Sequence, residues 1–186
     1  MTARPPTPGQ TIGPFFGYAL PFEGGGQLVS RAHPAAIRLH GTVFDGDGAP
    51  VPDALLEIWQ ADGDGRIVQQ AGSLHWDGYT FTGWGRAATD NAGRYSFTTM
   101  APGARDPGRA SFIAMTVFAR GLLNRLFTRA YLPGDVALDT DPLLAAVPAE
   151  RRGTLIATPD ADGFAFDVVL QGANETVFLS YPGHRG

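Results

Sequence analysis

The chain has 186 residues, of which 44% are hydrophobic and 11% aromatic, so it can bury one core in a single domain. Its net charge is -4 and its basic residues are all arginines without a basic stripe, which argues against nucleic-acid binding. The lack of cysteine excludes disulfides and thiolate chemistry, and no signal peptide or apolar membrane span is readable, so a cytoplasmic protein is expected.

The first 35 residues are rich in Pro and Gly, yet they carry more apolar side chains than a disordered tail normally does. These side chains are Phe15, Phe16, Tyr18, Leu20 and Phe22. Residues 1–35 are therefore predicted to form an arm that packs on a partner subunit, and residues 36–186 to form the folded domain. Only 17% of the chain is charged, which also favours a large permanent interface.

From residue 37 onward the chain repeats short runs of strand-forming residues with alternating polarity, separated by Asp, Gly and Pro clusters. The predicted strands are 37–44, 55–60, 94–98, 110–118, 125–131, 154–158, 164–170 and 176–179. Little helical periodicity accompanies them, so the pattern predicts an all-β protein built as an antiparallel β-sandwich. One minor helix is predicted at 141–149, where Asp141 supplies an N-cap and Pro142 the first helical residue.

Asp-x-Asp-Gly clusters begin at Asp45, Asp62 and Asp160 and invite comparison with calcium loops. Each cluster lies between strand-like runs, where Asp-Gly favours a tight turn, and none has the bidentate Glu of a calcium loop at the right distance. The clusters are therefore interpreted as turns.

The four histidines, His33, His40, His75 and His184, are too scattered to form an evident metal site. His75 and Asp77 match the His-x-Asp half of a non-haem Fe(II) site, for which only His184 could supply the second histidine. A surface loop is the favoured interpretation. Hydrolase, P-loop and dinucleotide motifs are also missing, so spacing alone predicts no catalytic centre.

Three arginines lie on or beside one predicted hairpin: Arg120, Arg125 and Arg129. Residue parity places Arg125 and Arg129 on the same face of their strand. A guanidinium beside an apolar wall is a good receptor for a planar aromatic carboxylate. Ordinary pairing with Asp or Glu, across the sheet or at a subunit interface, stays open as the alternative.

Three motifs carry a resemblance to a known family: QTIGPFF at residues 10–16, EIWQ at 57–60 and GWGR at 83–86. Together with the strand-and-turn segments 41–62 and 83–103, they resemble the intradiol ring-cleavage dioxygenases. The strand-and-turn segments alone would also suit prealbumin-like modules. The resemblance extends from about residue 7 to residue 179.

Catalytic members of that family hold Fe(III) with two Tyr and two His, so the resemblance indicates where such ligands would lie. Counted back from RLFT at 125–128, the His-x-His positions carry Phe112 and Ala114, and the second Tyr position carries Arg105. The first Tyr position falls near Ser73. The resemblance thus implies an iron-free, alpha-type subunit whose beta-type partner holds the Fe(III), and it gives this chain neither a metal ligand nor a catalytic residue.

The same resemblance implies that the assembly cleaves 3,4-dihydroxybenzoate with O2 to 3-carboxy-cis,cis-muconate. This chain would contribute substrate contacts from Thr11, Gly13, Pro14, Phe15 and Arg129, and would be inactive alone. The family often has Tyr at the position of Phe15.

Two other functions remain in competition. One is a non-enzymatic, prealbumin-like binding or scaffold module. The other is a self-sufficient Fe(II) oxygenase built on His75, Asp77 and His184.

Overall fold

Two β-sheets packed face to face form the body of the protein in the computed structural model, which describes residues 16–69, 77 and 79–181. The strands are β1 (Ala36–Phe44), β2 (Leu55–Gln60), β3 (Trp84–Ala88), β4 (Arg94–Met100), β5 (Phe112–Phe118), β6 (Leu126–Tyr131), β7 (Thr158–Asp160), β8 (Gly163–Ala165) and β9 (Val168–Val169). One sheet has the order β3-β2-β5-β6 and the other β4-β1-β8-β7, with β9 also paired to β1. The predicted antiparallel sandwich is confirmed.

The core lies between the two sheets because each long strand alternates buried and less buried residues. Its members include large apolar side chains that are at most 1% exposed: Leu39, Leu56, Ile58, Phe97, Ile113 and Met115. Burying such a side chain stabilises the folded state by about 1.5–3 kcal/mol. Leu28, which precedes β1, belongs to the same core, so part of the predicted arm packs on the sandwich itself.

The second sheet includes parallel pairs, since β8 and β9 run parallel to β1. Gly41 in β1 permits this, because a Cβ there would collide with the carbonyl of Phe166, between β8 and β9. The buried Tyr95 hydroxyl donates a hydrogen bond to that same carbonyl.

The five predicted strands at 37–44, 55–60, 94–98, 110–118 and 125–131 are confirmed within two residues, but the rest of the prediction needs correction. β3 was not predicted, because Gly85 and Arg86 hide the alternation in its sequence WGRAA. Segment 154–158 begins as a 3-10 helix (Gly153–Leu155), and segment 164–170 divides into β8 and β9 where it passes Gly41. Segment 176–179 forms no strand.

Three short α-helices complete the described structure: α1 (Phe16–Ala19), α2 (Pro142–Ala146) and α3 (Ala149–Arg152). The predicted helix at 141–149 is thus two helices, interrupted at Val147 and Pro148, because proline disfavours the helical conformation of the residue before it. The predicted N-cap is confirmed, since the Asp141 carboxylate accepts from the amides of Leu143 and Leu144. None of the helices in the described ranges could cross a membrane.

A buried polar contact joins the two sheets. The Thr99 hydroxyl of β4 donates to the amide oxygen of Gln60 in β2 at 2.7 Å, and the Gln60 amide nitrogen donates to the Met100 carbonyl at 2.8 Å. Gln60 and Thr99 are 2% and 0% exposed, so water does not replace these bonds. The end of β2 is therefore held against β4.

Replacing Thr99 with Val keeps the shape of the side chain but leaves the Gln60 oxygen without a donor. We expect the free energy of unfolding to fall by about 1–3 kcal/mol, measured by urea denaturation. Thr98→Val is the matched control, since the Thr98 side chain makes no hydrogen bond in the described structure and faces the other way. Equal losses for the two variants would contradict this role of the contact.

Candidate functional site

A row of side chains crosses the four-stranded sheet on its outer face. Strand register aligns Trp84 of β3 with Trp59 of β2, Trp59 with Ala114 of β5, and Ala114 with Arg129 of β6. Neighbouring residues in each long strand point into the core, so these side chains point away from it. Because Ala114 carries only a methyl group, a gap remains between Trp59 and Arg129.

That gap belongs to a pocket of about 400 Å³. Its walls combine aromatic and aliphatic side chains with three arginines: Trp59, Ile67, Phe112, Arg105, Arg109 and Arg129. The volume and the mixture of apolar walls with a few charged groups are typical of small-molecule sites, for which volumes of about 300–1,000 Å³ are usual.

Arg129 provides the most buried positive charge of the pocket. Its guanidinium carbon lies 3.8 Å from the centroid of the Phe112 ring, a close cation–π contact. One terminal nitrogen lies 3.4 Å from the Tyr131 hydroxyl, a long hydrogen bond. The buried Nε has no hydrogen-bond partner in the described structure. Such a group costs about 1–3 kcal/mol if it stays unsatisfied.

The buried acidic side chain of the pocket, Asp141, is engaged elsewhere. Asp141 accepts from the amides of Leu143, Leu144 and Ala110 and from the Tyr131 hydroxyl, at 2.9–3.2 Å. Burial raises the pKa of Tyr131, so its hydroxyl keeps its proton at neutral pH and can donate this bond. The Asp141 charge therefore stabilises the start of α2 and ties it to β6.

The other two pocket arginines, Arg105 and Arg109, also form no ion pair within the described ranges. Apart from Asp141, the only carboxylate among the described residues of the lining is that of Asp106, which is exposed, as are Arg105 and Arg109. Three guanidinium groups thus face two carboxylates, one of which is already engaged by four donors. The pocket has an excess of positive charge.

Arg105, Phe112 and Ala114, which the resemblance places at iron-ligand positions, come together in this pocket. None of them offers an oxygen, imidazole or thiolate donor, and a guanidinium repels a cation. In the part of the chain that the structure describes, no group of three or more His, Cys, Asp or Glu could hold a metal ion. The residues present here do not fit Fe(III). The remaining position, near Ser73, lies outside the described residues.

Of the predicted substrate contacts, Arg129 lies in the pocket, whereas Thr11, Gly13, Pro14 and Phe15 lie outside the described residues. The sequence-based interpretation missed Trp59 as a wall and Arg109 as a third positive charge. Parity in β2 could have placed Trp59 on the outer face. Arg109 lies in a turn before β5, where no periodic pattern indicates the direction of a side chain.

The end of the arm crosses the outer face beside the pocket. Phe22 stacks on Trp84 with ring centroids 6.0 Å apart, and Arg86 donates to the Leu20 carbonyl at 2.8 Å. Arg86 is held in turn by Glu57, whose carboxylate accepts from its Nε at 2.9 Å. The described part of the arm is thus fixed close to the row that borders the pocket.

The competing Fe(II) site cannot be assembled from what the structure describes, since His75 and His184 lie outside those residues. The Asp77 carboxylate accepts from the Thr80 amide and hydroxyl at 2.7 Å and from the Tyr79 amide at 2.9 Å. These bonds from Thr80 and Tyr79 lower the pKa of Asp77 to about 2. Asp77 therefore closes a turn.

The Asp-x-Asp-Gly clusters are confirmed as turns. Asp45 and Asp62 each accept two backbone amides of their own turn at 2.8–2.9 Å, and Asp160 accepts the Asp162 amide at 2.9 Å. Carboxylates used in this way stabilise a tight turn and need no cation.

Comparison with known proteins assigns this chain to one family. Residues 30–172 match the family model described as Dioxygenase. The chain is 40% identical to the protocatechuate 3,4-dioxygenase alpha chain of Burkholderia cepacia, over 96% of this chain and 99% of that one. It is 36% identical to the beta chain of the enzyme of the same name from B. cepacia, over 80% of this chain and 70% of that one.

A solved structure supports the same family assignment. The dioxygenase domain of a dioxygenase carbohydrate-binding protein fusion from Streptomyces sp. SirexAA-E is 29% identical to this chain, with a TM-score of 0.59. The match covers 91% of this chain and 100% of that domain. The similarity therefore extends over most of the chain and includes the fold.

Asp141 is expected to stabilise the fold around the pocket. Asp141→Ala removes an N-cap and leaves the Tyr131 hydroxyl without its acceptor, so the free energy of unfolding should fall by about 2 kcal/mol or more. Asp106→Ala removes the other, exposed carboxylate and should change it by less than about 0.5 kcal/mol. Urea denaturation measures both. An unchanged midpoint for Asp141→Ala would refute the assignment.

Proposed function

The chain belongs to the intradiol ring-cleavage dioxygenase family, and we propose that it is the iron-free alpha subunit of a protocatechuate 3,4-dioxygenase. In this proposal the beta subunit of the enzyme holds Fe(III), and the assembly cleaves 3,4-dihydroxybenzoate with O2 to 3-carboxy-cis,cis-muconate. The 40% identity to a chain named as alpha, over almost the whole length of both, supports the choice of subunit.

The donor set of the pocket is the observation that carries the iron-free assignment. Phe112 and Ala114 project from alternate positions of β5 into the pocket, and Arg105 lines it from the preceding loop. A single lost ligand could be replaced by water, but here a phenyl ring, a methyl group and a cation occupy three positions of one site. Catalysis by an isolated chain of this kind is not expected.

The partner is proposed to be the beta subunit of protocatechuate 3,4-dioxygenase. This chain is 36% identical to a beta chain of that name, which supports a partner that is related to this chain in sequence. The exposed apolar side chains of Trp59 (48%) and Leu20 (40%) lie on or beside the outer face of the four-stranded sheet, where such a partner would cover them.

This chain is proposed to complete the partner's active site with its arm and Arg129. Thr11, Gly13, Pro14 and Phe15 would close the site and exclude water, and Arg129 would attract and orient the anionic substrate. The position of Phe22 on Trp84 supports the first role, since it holds the end of the arm on the pocket face. The missing counter-charge of Arg129 supports the second.

Reconstitution tests the proposed function. The purified chain should contain no iron and show no oxygen uptake with 3,4-dihydroxybenzoate. Co-expression with a beta subunit should give an assembly with iron and ring-cleaving activity, measured by O2 consumption and by loss of substrate absorbance. Iron bound by the chain alone would contradict the proposal. A beta subunit equally active without this chain would instead favour a non-enzymatic, prealbumin-like scaffold module.

Replacing Arg129 tests the substrate contact in the assembled enzyme. Arg129→Ala should lower kcat/KM for 3,4-dihydroxybenzoate about tenfold or more, largely through KM, because a charge-assisted hydrogen bond is lost. Iron content should not change. Arg125→Ala is the matched control. By residue parity Arg125 lies on the same face as Arg129, but its guanidinium stacks over Phe127 and does not line the pocket. Loss of iron, or equal effects of the two variants, would refute the contact.

A further inference from the structure

We propose that Arg86 is a positioning residue that docks the arm on the sandwich, and that the arm reaches the partner's active site correctly only while Arg86 is paired with Glu57. The effect on activity rests on the proposed function. The docking of the arm does not, because it follows from contacts within this chain.

The last part of the arm forms a loop, and Arg86 contacts both ends of it. The Arg86 side chain donates to the Leu20 carbonyl at 2.8 Å, and its backbone amide donates to the Gly25 carbonyl at 2.7 Å. Glycine permits the second approach, since a Cβ at Gly25 would lie 2.7 Å from the Arg86 carbonyl oxygen. Between the two ends, Phe22 stacks on Trp84. One residue of β3 therefore holds two points of the arm.

The pairing with Glu57 determines where the Arg86 side chain points. Glu57 lies opposite Arg86 in β2, and one of its carboxylate oxygens accepts from both Nε and a terminal nitrogen of the guanidinium. The Arg86 and Glu57 side chains are only 15% and 22% exposed, so water and salt screen this pair less than an exposed one. Because the guanidinium is planar and rigid, fixing two of its nitrogens directs the third at Leu20.

The helix α1 carries the contact at Leu20 toward the start of the arm. The Leu20 amide donates to the Phe16 carbonyl at 3.2 Å, which closes the single turn of this helix. Phe16 directly follows Phe15, the last of the predicted substrate contacts in the arm. Residues 1–15 are attached to this turn, so the position of the turn limits where they can reach. A relay thus joins the Glu57 carboxylate to the segment that would contact the substrate.

Hydrogen–deuterium exchange of the purified chain tests the docking of the arm. Arg86→Lys keeps a positive charge for Glu57, but a single ammonium group cannot reproduce the planar fork that joins Glu57 to Leu20. Exchange of the Leu20 amide should become about tenfold faster or more, because local opening then breaks one hydrogen bond to a charged group fewer. Amides of β2 and β5 should keep their protection. Unchanged exchange at Leu20 would overturn the proposal.

Arg38→Lys is the matched control. Arg38 lies on the outer face of the other sheet, where its guanidinium also meets a hydroxyl and a carboxylate. The same substitution there should leave exchange at Leu20 unchanged, and acceleration would show that the amide reports only general stability.

Glu57→Gln tests the pair from its other side. It retains Arg86 but removes the charge that orients it, so Leu20 should be released as in Arg86→Lys. Full protection of Leu20 in this variant would refute the role of the pair. Circular dichroism checks that each variant is folded.

A double-mutant cycle in the assembly tests whether Arg86 acts through the arm. Arg86→Lys should lower kcat/KM for 3,4-dihydroxybenzoate about tenfold, since small displacements of substrate contacts are costly. Thr11→Ala should lower it about fivefold on its own, through a lost hydrogen bond, but by less than about twofold in the Arg86→Lys background. Iron content should stay the same throughout. Fully additive losses would place the effect of Arg86 in the sandwich and contradict a positioning role.

The two measurements separate this proposal from the proposed function. An inactive assembly of the unmodified chain with a beta subunit would refute the proposed function, and exchange at Leu20 would still decide whether Arg86 docks the arm. If the chain is soluble only in the assembly, mass spectrometry follows exchange there over residues 16–24. Acceleration by Arg86→Lys and none by Arg38→Lys is again the expected result, and equal exchange in the two variants would overturn the docking.

Discussion

The register of β2, β5 and β6 is the constraint on which the rest of the structure depends. Side chains alternate along a strand, so the pairing that sends Ile58, Ile113 and Ala130 into the core also sends Trp59, Ala114 and Arg129 to the outer face. A slip of one residue would exchange the two sets and place a guanidinium between the sheets. The burial that stabilises the sandwich therefore also fixes the walls of the pocket, and the contact from Thr99 to Gln60 holds the adjoining end of β2 in place.

In the proposed function, three positions that would hold metal ligands in a catalytic subunit carry side chains of a different chemistry. Phe112 fills part of the space with a ring, Ala114 leaves part of it open, and Arg105 reverses the sign of the charge that the pocket prefers. None of these residues belongs to the buried cluster between the sheets. The stability of the core is therefore separate from the chemistry of the outer face, which allows the family to vary the donor set while it conserves the sandwich.

Sequence patterns predicted the core strands and the fold class because alternation and turn residues act locally. They failed at β3, where Gly85 provides no side chain. They also failed at 164–170, where the chain pairs with β1 twice, as β8 and as β9, and Phe166 between them lies against Gly41. The properties of the functional residues also divide into those that local patterns predict and those that they do not. Parity aligned Arg129 with one face of its strand, but the lack of a counter-charge depends on how Asp141 is shared between α2 and Tyr131, which only tertiary structure determines.

The charge of the whole chain and the charge of the pocket have opposite signs, and this difference shapes what the pocket can select. At a net charge of -4, the exterior repels anions weakly over distances near the Debye length, about 8 Å at physiological ionic strength. Within the pocket, the half-buried guanidinium of Arg129 lies in a less polar environment, and the exposed Arg105 and Arg109 add positive charge to the lining. In the proposed function, the anionic substrate would meet this local positive charge at Arg129. The arm end at Phe22 stacks on Trp84 at the β3 edge of this same face of the sheet.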